Sequence, residues 1–169
     1  NILIIGNPPW VTNTELSFSE STNLPEKKNF KKFKGIEAIT GKSNFDLAEY
    51  IILQLLGIFS EFSGEVVMLC KNIVIKNLVK ELPNYKFKIS SIRSISIDSR
   101  AIFEKNVDAS LMIVKLGKRT TDFTCNEISF ENPTQIKRKF GWVGKKFVSN
   151  VENYSKFQEY DGTCCFNWR

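Results

Sequence analysis

The sequence predicts an α/β fold whose sheet begins with parallel strands and finishes in an antiparallel hairpin. Three observations carry that expectation. Ile2-Leu3-Ile4-Ile5-Gly6 is an uncharged run of branched residues, the pattern of a strand buried on both faces of a parallel sheet. Pro8 and Pro9 follow almost at once; they lack N–H groups and fix φ, so the chain must turn at the C-terminal edge of that strand. Beyond the turn, apolar segments come in the order helix, strand, helix, strand, loop, strand, the alternation of helices packed on a sheet.

The elements follow in chain order. Val11 to Leu24 is rich in Ser, Thr, Asn and Glu and reads as loop. Lys27-Lys28-Asn29-Phe30-Lys31-Lys32-Phe33-Lys34 crowds lysines around two phenylalanines. Lys31 and Lys32 are candidates for contacts to nucleic acid phosphates, while the same run also reads as a solvated helix turn with Phe30 and Phe33 tucked inward. Ser43-Asn44-Phe45-Asp46 has the look of a capping box. It opens a helix that is apolar on most faces and runs to Phe62, with Gly64 as its left-handed cap. Glu65 to Cys70 is a second buried strand, Ile73 to Leu82 a helix stopped by Pro83, and Lys86 to Ile97 an alternating strand. Asp98 to Asn106 is a loop, and Val107 to Leu116 a further strand. Phe123 to Phe130 has strand character. The stretch Lys137 to Phe147 interleaves basic and aromatic residues, which suits nucleic acid contact or, equally, a surface helix and turn with its aromatics packed.

Composition removes several function classes. The chain has 169 residues, the size of one domain, with 24 Lys+Arg against 18 Asp+Glu, a net charge of +6 that biases it toward polyanions. There is no histidine, so a Ser-His or Cys-His catalytic pair is excluded. Cys70, Cys125, Cys164 and Cys165 show no Cys-x-x-Cys spacing, so no zinc site is expected. Free thiols suit a reducing, cytoplasmic compartment, and no signal peptide or membrane-spanning run is present. The first residue is Asn1, directly ahead of a core strand, and the chain reads as part of something longer.

The turn after the first strand carries the chemistry. Asn7-Pro8-Pro9-Trp10 offers a side-chain amide, carbonyls on a stiff backbone and a flat indole at the edge of an α/β sheet where ligands bind. Such a corner suits an aromatic ring bearing an amino group, with acceptors for the N–H bonds and a π-face for the ring. The four residues after a buried strand resemble the (Asp/Asn/Ser)-Pro-Pro-(aromatic) motif of the amino-methyltransferases, above all the DNA adenine N6-methyltransferases. The order of the later elements is similar to that family too. Ile102-Phe103-Glu104 ahead of Val107-Asp108-Ala109 matches its phenylalanine-bearing loop before a strand in character.

What that resemblance implies is stated here as expectation. Residues 1–118 would be the C-terminal half of a Rossmann-like class I methyltransferase sheet, and residues 119–169 the lead-in to a target-recognition domain. Asn7, Pro8, Pro9 and Trp10 would be catalytic, and Phe103 would help hold an extruded base. S-adenosylmethionine would be the cofactor, met by Asn7 and by Phe45, and double-stranded DNA the substrate, within a restriction-modification system. The family's Gly-rich cofactor turn and its acidic partner have no counterpart here, since Gly6 is the one glycine before Gly35. The chain alone is therefore expected to be inactive. Its first strand would be an open edge that another chain or an added segment covers. The same motif type also serves enzymes that methylate RNA bases or protein glutamine, and a non-catalytic DNA-binding fragment is a further alternative.

Overall fold

A computed structural model describes residues 1–11, 46–98, 100 and 108–159, with the side chain of residue 159 left aside. Among the described residues the elements are β1 (Ile2–Gly6), α1 (Leu47–Phe59), β2 (Gly64–Lys71), α2 (Asn72–Glu81), β3 (Ile89–Ser96), β4 (Ala109–Leu116), β5 (Thr124–Ser129), β6 (Ile136–Val143), β7 (Lys146–Val148) and α3 (Val151–Glu159). The strands form one sheet in the order β1-β2-β4-β3-β5-β6-β7. β1 runs parallel to β2, β4 lies antiparallel between β2 and β3, and β5 runs parallel to β3. The carboxyl ends of β1, β2, β3 and β5 therefore share one edge of the sheet. The α/β class holds, and it is consistent with a fragment of a methyltransferase-like fold. The strands of 124–148 continue the same sheet across residue 118 without a break in strand pairing.

Helices α1 and α2 seal one face. Ala48, Ile52, Leu53 and Leu56 of α1 and Val74, Ile75, Leu78 and Val79 of α2 pack with Val66, Met68 and Cys70 of β2 and Met112 and Val114 of β4. Each fully buried aliphatic side chain contributes about 1.5–3 kcal/mol, so this layer dominates the stability of the unit. The other face is different. Leu3 and Ile5 are 62% and 70% exposed, and β1 ends the strand order with one side unpaired among the described residues. The strand expected to be buried on both faces is thus covered on only one by the described residues: Ile2 and Ile4 pack against the core while the alternate positions are exposed. No helix of the described residues is long and apolar enough to cross a membrane.

Three local expectations are corrected. The cap of α1 is Asp46 rather than Ser43: its Oδ1 accepts from the Ala48 N–H at 3.0 Å. The cap thus lies three residues later than expected. The helix closes at Phe59, where the Ser60 N–H reaches the Leu56 carbonyl at 3.0 Å. Gly64 does not cap it; Gly64 opens β2 opposite Ile2, where a Cβ would stand 2.0 Å from the Ile2 carbonyl oxygen. The helix-and-turn reading of Lys137 to Phe147 also fails, because these residues form the β6–β7 hairpin. Its pattern alternates: Phe140 is buried and the Trp142 indole donates to the Lys80 carbonyl at 3.1 Å, while Lys137 and Lys145 face outward.

Gly64→Ala sets a methyl group against the Ile2 backbone, and overpacking of this kind costs about 1–3 kcal/mol. Urea denaturation should show that loss, together with weakened amide exchange protection of Ile4 and Gly6. Unchanged protection in β1 would mean that the two strands do not pair this closely.

Candidate functional site

The pairing of Gly6 with Met68 places the turn after β1 level with the last residues of β2. Asn7 and Pro9 are exposed there, Pro8 is buried and Trp10 is half-buried. The prolines supply no N–H groups, so half of the turn's backbone donors are missing. The turn is held by other segments. The Trp10 indole N–H donates to the Leu69 carbonyl at 3.2 Å. The Lys71 ammonium donates to the Trp10 carbonyl at 2.9 Å and to Asp46 Oδ2 at 3.2 Å. The Leu47 N–H donates to the Val11 carbonyl at 2.9 Å. Trp10 is not part of the packed hydrophobic core among the described residues, so the indole belongs to the edge of the sheet rather than to its interior.

A second knot lies beside the first. The Asn72 N–H donates to the Asp108 carbonyl at 2.9 Å, and the Ser110 hydroxyl donates to Asn72 Oδ1 at 2.7 Å. These bonds fix the start of α2 to the start of β4, and Lys71 pairs in register with Ala109. The chain that carries Phe103 therefore returns to the sheet two strands from β1, about 10 Å away at the usual strand spacing. Phe103, Lys31, Lys32 and Phe45 themselves lie outside the described residues.

The thiols near this edge are not reactive groups. Burial pushes the Cys70 thiol up to about 12, helped by the Asp46 carboxylate and by Cys125. Burial likewise raises Cys125 to about 12, against the opposing hydrogen bond with Ser94. At neutral pH both stay protonated, and a thiol is a poor nucleophile and metal ligand. Among the described residues no group of three His, Cys, Asp or Glu side chains could hold a metal ion.

Of the residues singled out from sequence, the structure brings Asn7, Pro8, Pro9 and Trp10 together at one corner, as their adjacency requires. Sequence reasoning missed Lys71 and the second role of Asp46, its pairing with Lys71. It also missed Glu49, which is fully buried in the first turn of α1 and accepts from Asn77 Nδ2 at 3.4 Å. A lysine at a strand's end and a carboxylate at a helix start are commonplace, and nothing local says that they meet.

Over 170 aligned positions, 99% of this chain, the sequence is 38% identical to the Type II methyltransferase M.NspV of Nostoc sp. (strain ATCC 29411 / PCC 7524). The chain spans 35% of that protein's length. No protein-family model matches the chain.

With both thiols near 12, iodoacetamide at pH 8 should leave Cys70 and Cys125 unmodified in the folded protein and label them after unfolding in guanidinium. Peptide mass mapping distinguishes them from the other cysteines. Rapid native labelling of either one would contradict its burial.

Proposed function

We propose that this chain is the second half of the catalytic domain of an adenine-specific DNA methyltransferase of a restriction-modification system, with residues 119–169 leading into its target-recognition domain. The observation that carries the reading is the exposed Asn7 amide at the carboxyl edge of β1, followed by two prolines and an indole tethered by its N–H. The similarity to a Type II methyltransferase over nearly the whole chain supports it, as does the net charge of +6.

The chemical task is to activate a weak nucleophile. The lone pair of an exocyclic adenine amine is delocalised into the ring. In this proposal Asn7 Oδ1 and the Pro8 carbonyl accept its two N–H bonds and draw the nitrogen toward a pyramidal geometry. The charge that develops there meets dipoles already in place, which is preorganised stabilisation without a covalent intermediate. No histidine is needed. Trp10 stacks on the base, and Phe103 holds its other side or edge. The amine cannot be reached inside a duplex, so the nucleotide must be flipped out, at a cost of a few kcal/mol. Lys31 and Lys32 contact the flanking phosphates.

The cofactor of this reading is S-adenosylmethionine, which when bound supplies the methyl group as a sulfonium electrophile. Asn7 fits it from one side: its amide is exposed and makes no hydrogen bond among the described residues. Phe45 is assigned as a further contact. No Gly-rich turn is present in this sequence to grip the rest, and by itself the chain is inactive in this reading. The edge of β1, unpaired among the described residues, and the exposed Leu3 and Ile5 support pairing of that strand with an added segment or another chain.

The test uses the full-length protein that contains this chain, with plasmid DNA and S-adenosylmethionine, and nucleoside mass spectrometry. N6-methyladenine should form. Asn7→Ala should lower its rate more than about 100-fold, the scale of losing one preorganised polar contact, and leave duplex affinity nearly unchanged. Wild-type turnover by that variant, or a methylated cytosine, RNA or protein as the product, would overturn the reading.

A further inference from the structure

We infer that Lys71 is a positioning residue for the target base, acting through the Trp10 carbonyl and the Asp46 carboxylate; this rests on the adenine-methylation reading above. Lys71 is the last residue of β2, and its ammonium joins three segments far apart in sequence. Its side chain is 28% exposed and that of Asp46 only 8%, so the pair is shielded from the solvent that makes exposed ion pairs weak. Asp46 divides its two oxygens. Oδ1 caps α1 through the Ala48 N–H at 3.0 Å, and Oδ2 takes the ammonium at 3.2 Å.

The consequence falls on the indole. Trp10 is fixed through its ring N–H, which reaches the carbonyl of Leu69, and through its own carbonyl, which is reached by Lys71. Both anchors come from the end of β2, two residues apart. Together they hold the ring's polar edge and its backbone, which leaves little freedom for the plane on which a base would stack. Without the ammonium, the Trp10 carbonyl loses its donor and the Asp46 carboxylate its counter-charge. The indole plane then loses the backbone half of the anchoring supplied by the end of β2 and is held less firmly. Positional errors of about 1 Å in a stacking platform cost on the order of 100-fold in rate, so a residue that touches neither base nor cofactor can still govern turnover.

The experiment uses the full-length protein and two duplexes carrying its methylated site, one with the target adenine for turnover and one with 2-aminopurine in its place for fluorescence. Lys71→Met should lower kcat by about 10- to 100-fold, with KM for DNA nearly unchanged. It should also brighten the extruded 2-aminopurine, because a loose indole quenches it less. Lys71→Arg, which keeps a cation with several donors, should restore most of kcat and of the quenching. Should Lys71→Met fail to fold, Asp46→Asn decides, since it keeps an oxygen for the Ala48 cap but removes the charge opposite the ammonium. It should show a smaller loss of the same kind. Folded variants with wild-type kcat and unchanged fluorescence overturn the inference and leave the role of Asn7 standing. A wild-type protein that makes no N6-methyladenine overturns both, and needs no Lys71 variant to be seen.

Discussion

The parallel pairing of β1 on β2 is the constraint on which the rest of this structure depends. It puts Gly6 opposite Met68 and Ile2 opposite Gly64, and a slip of one residue would turn every side chain of β1 to the other face. In the observed register Ile2 and Ile4 meet the core, and the turn at Asn7 emerges level with the end of β2. Only from that level can Leu69 and Lys71 reach Trp10. Close approach of the strands is possible because Gly64 has no side chain where the Ile2 carbonyl passes. The pairing thus acts twice, once in packing and once in setting where the motif stands.

From this pairing the edge of the sheet acquires its character. Four strands point their carboxyl ends the same way, and the segments that leave β1 and β2 are tied down by polar bonds. Lys71 joins Trp10 to Asp46, and Asn72 joins Asp108 to Ser110. Below that layer, Cys70 and Cys125 are sealed, protonated and chemically quiet. A polar rim above a dry core is what the proposed chemistry requires, since acceptors positioned in advance need no reorganisation when an amine arrives. The opposite face of β1 remains apolar and open through Leu3 and Ile5, and it is the least self-sufficient part of the unit.

Much of the fold was legible because its signals are local. β1, β2 and β4 are dense in branched residues, and Pro83 marks the end of α2 one residue into a short 3-10 turn. The failures have physical causes as well. Ser43 and Asp46 are both good caps, and the choice between them rests on where the Ala48 N–H finds its acceptor. Gly64 serves a helix cap or a close strand contact equally well until the neighbouring strand is known. For Lys137 to Phe147, charge and aromaticity were read correctly but the period was not. Alternation buries Phe140 and turns the Trp142 indole to the Lys80 carbonyl of α2, while Lys137 before them and Lys145 after them are exposed.

The sequence by itself determined the α/β class, the strand and helix order as far as β4, and the corner Asn7-Pro8-Pro9-Trp10, because covalent adjacency keeps those four residues together in any fold. It also determined that no histidine of this chain takes part. Tertiary structure alone decided that Lys71 would hold Trp10 and Asp46, residues 61 and 25 positions away in the chain. It decided too that Asp108, just ahead of β4, meets Asn72 beside them, since β4 inserts between β2 and β3. The reason is that strand order and register, which no local pattern encodes, set which side chains share an edge.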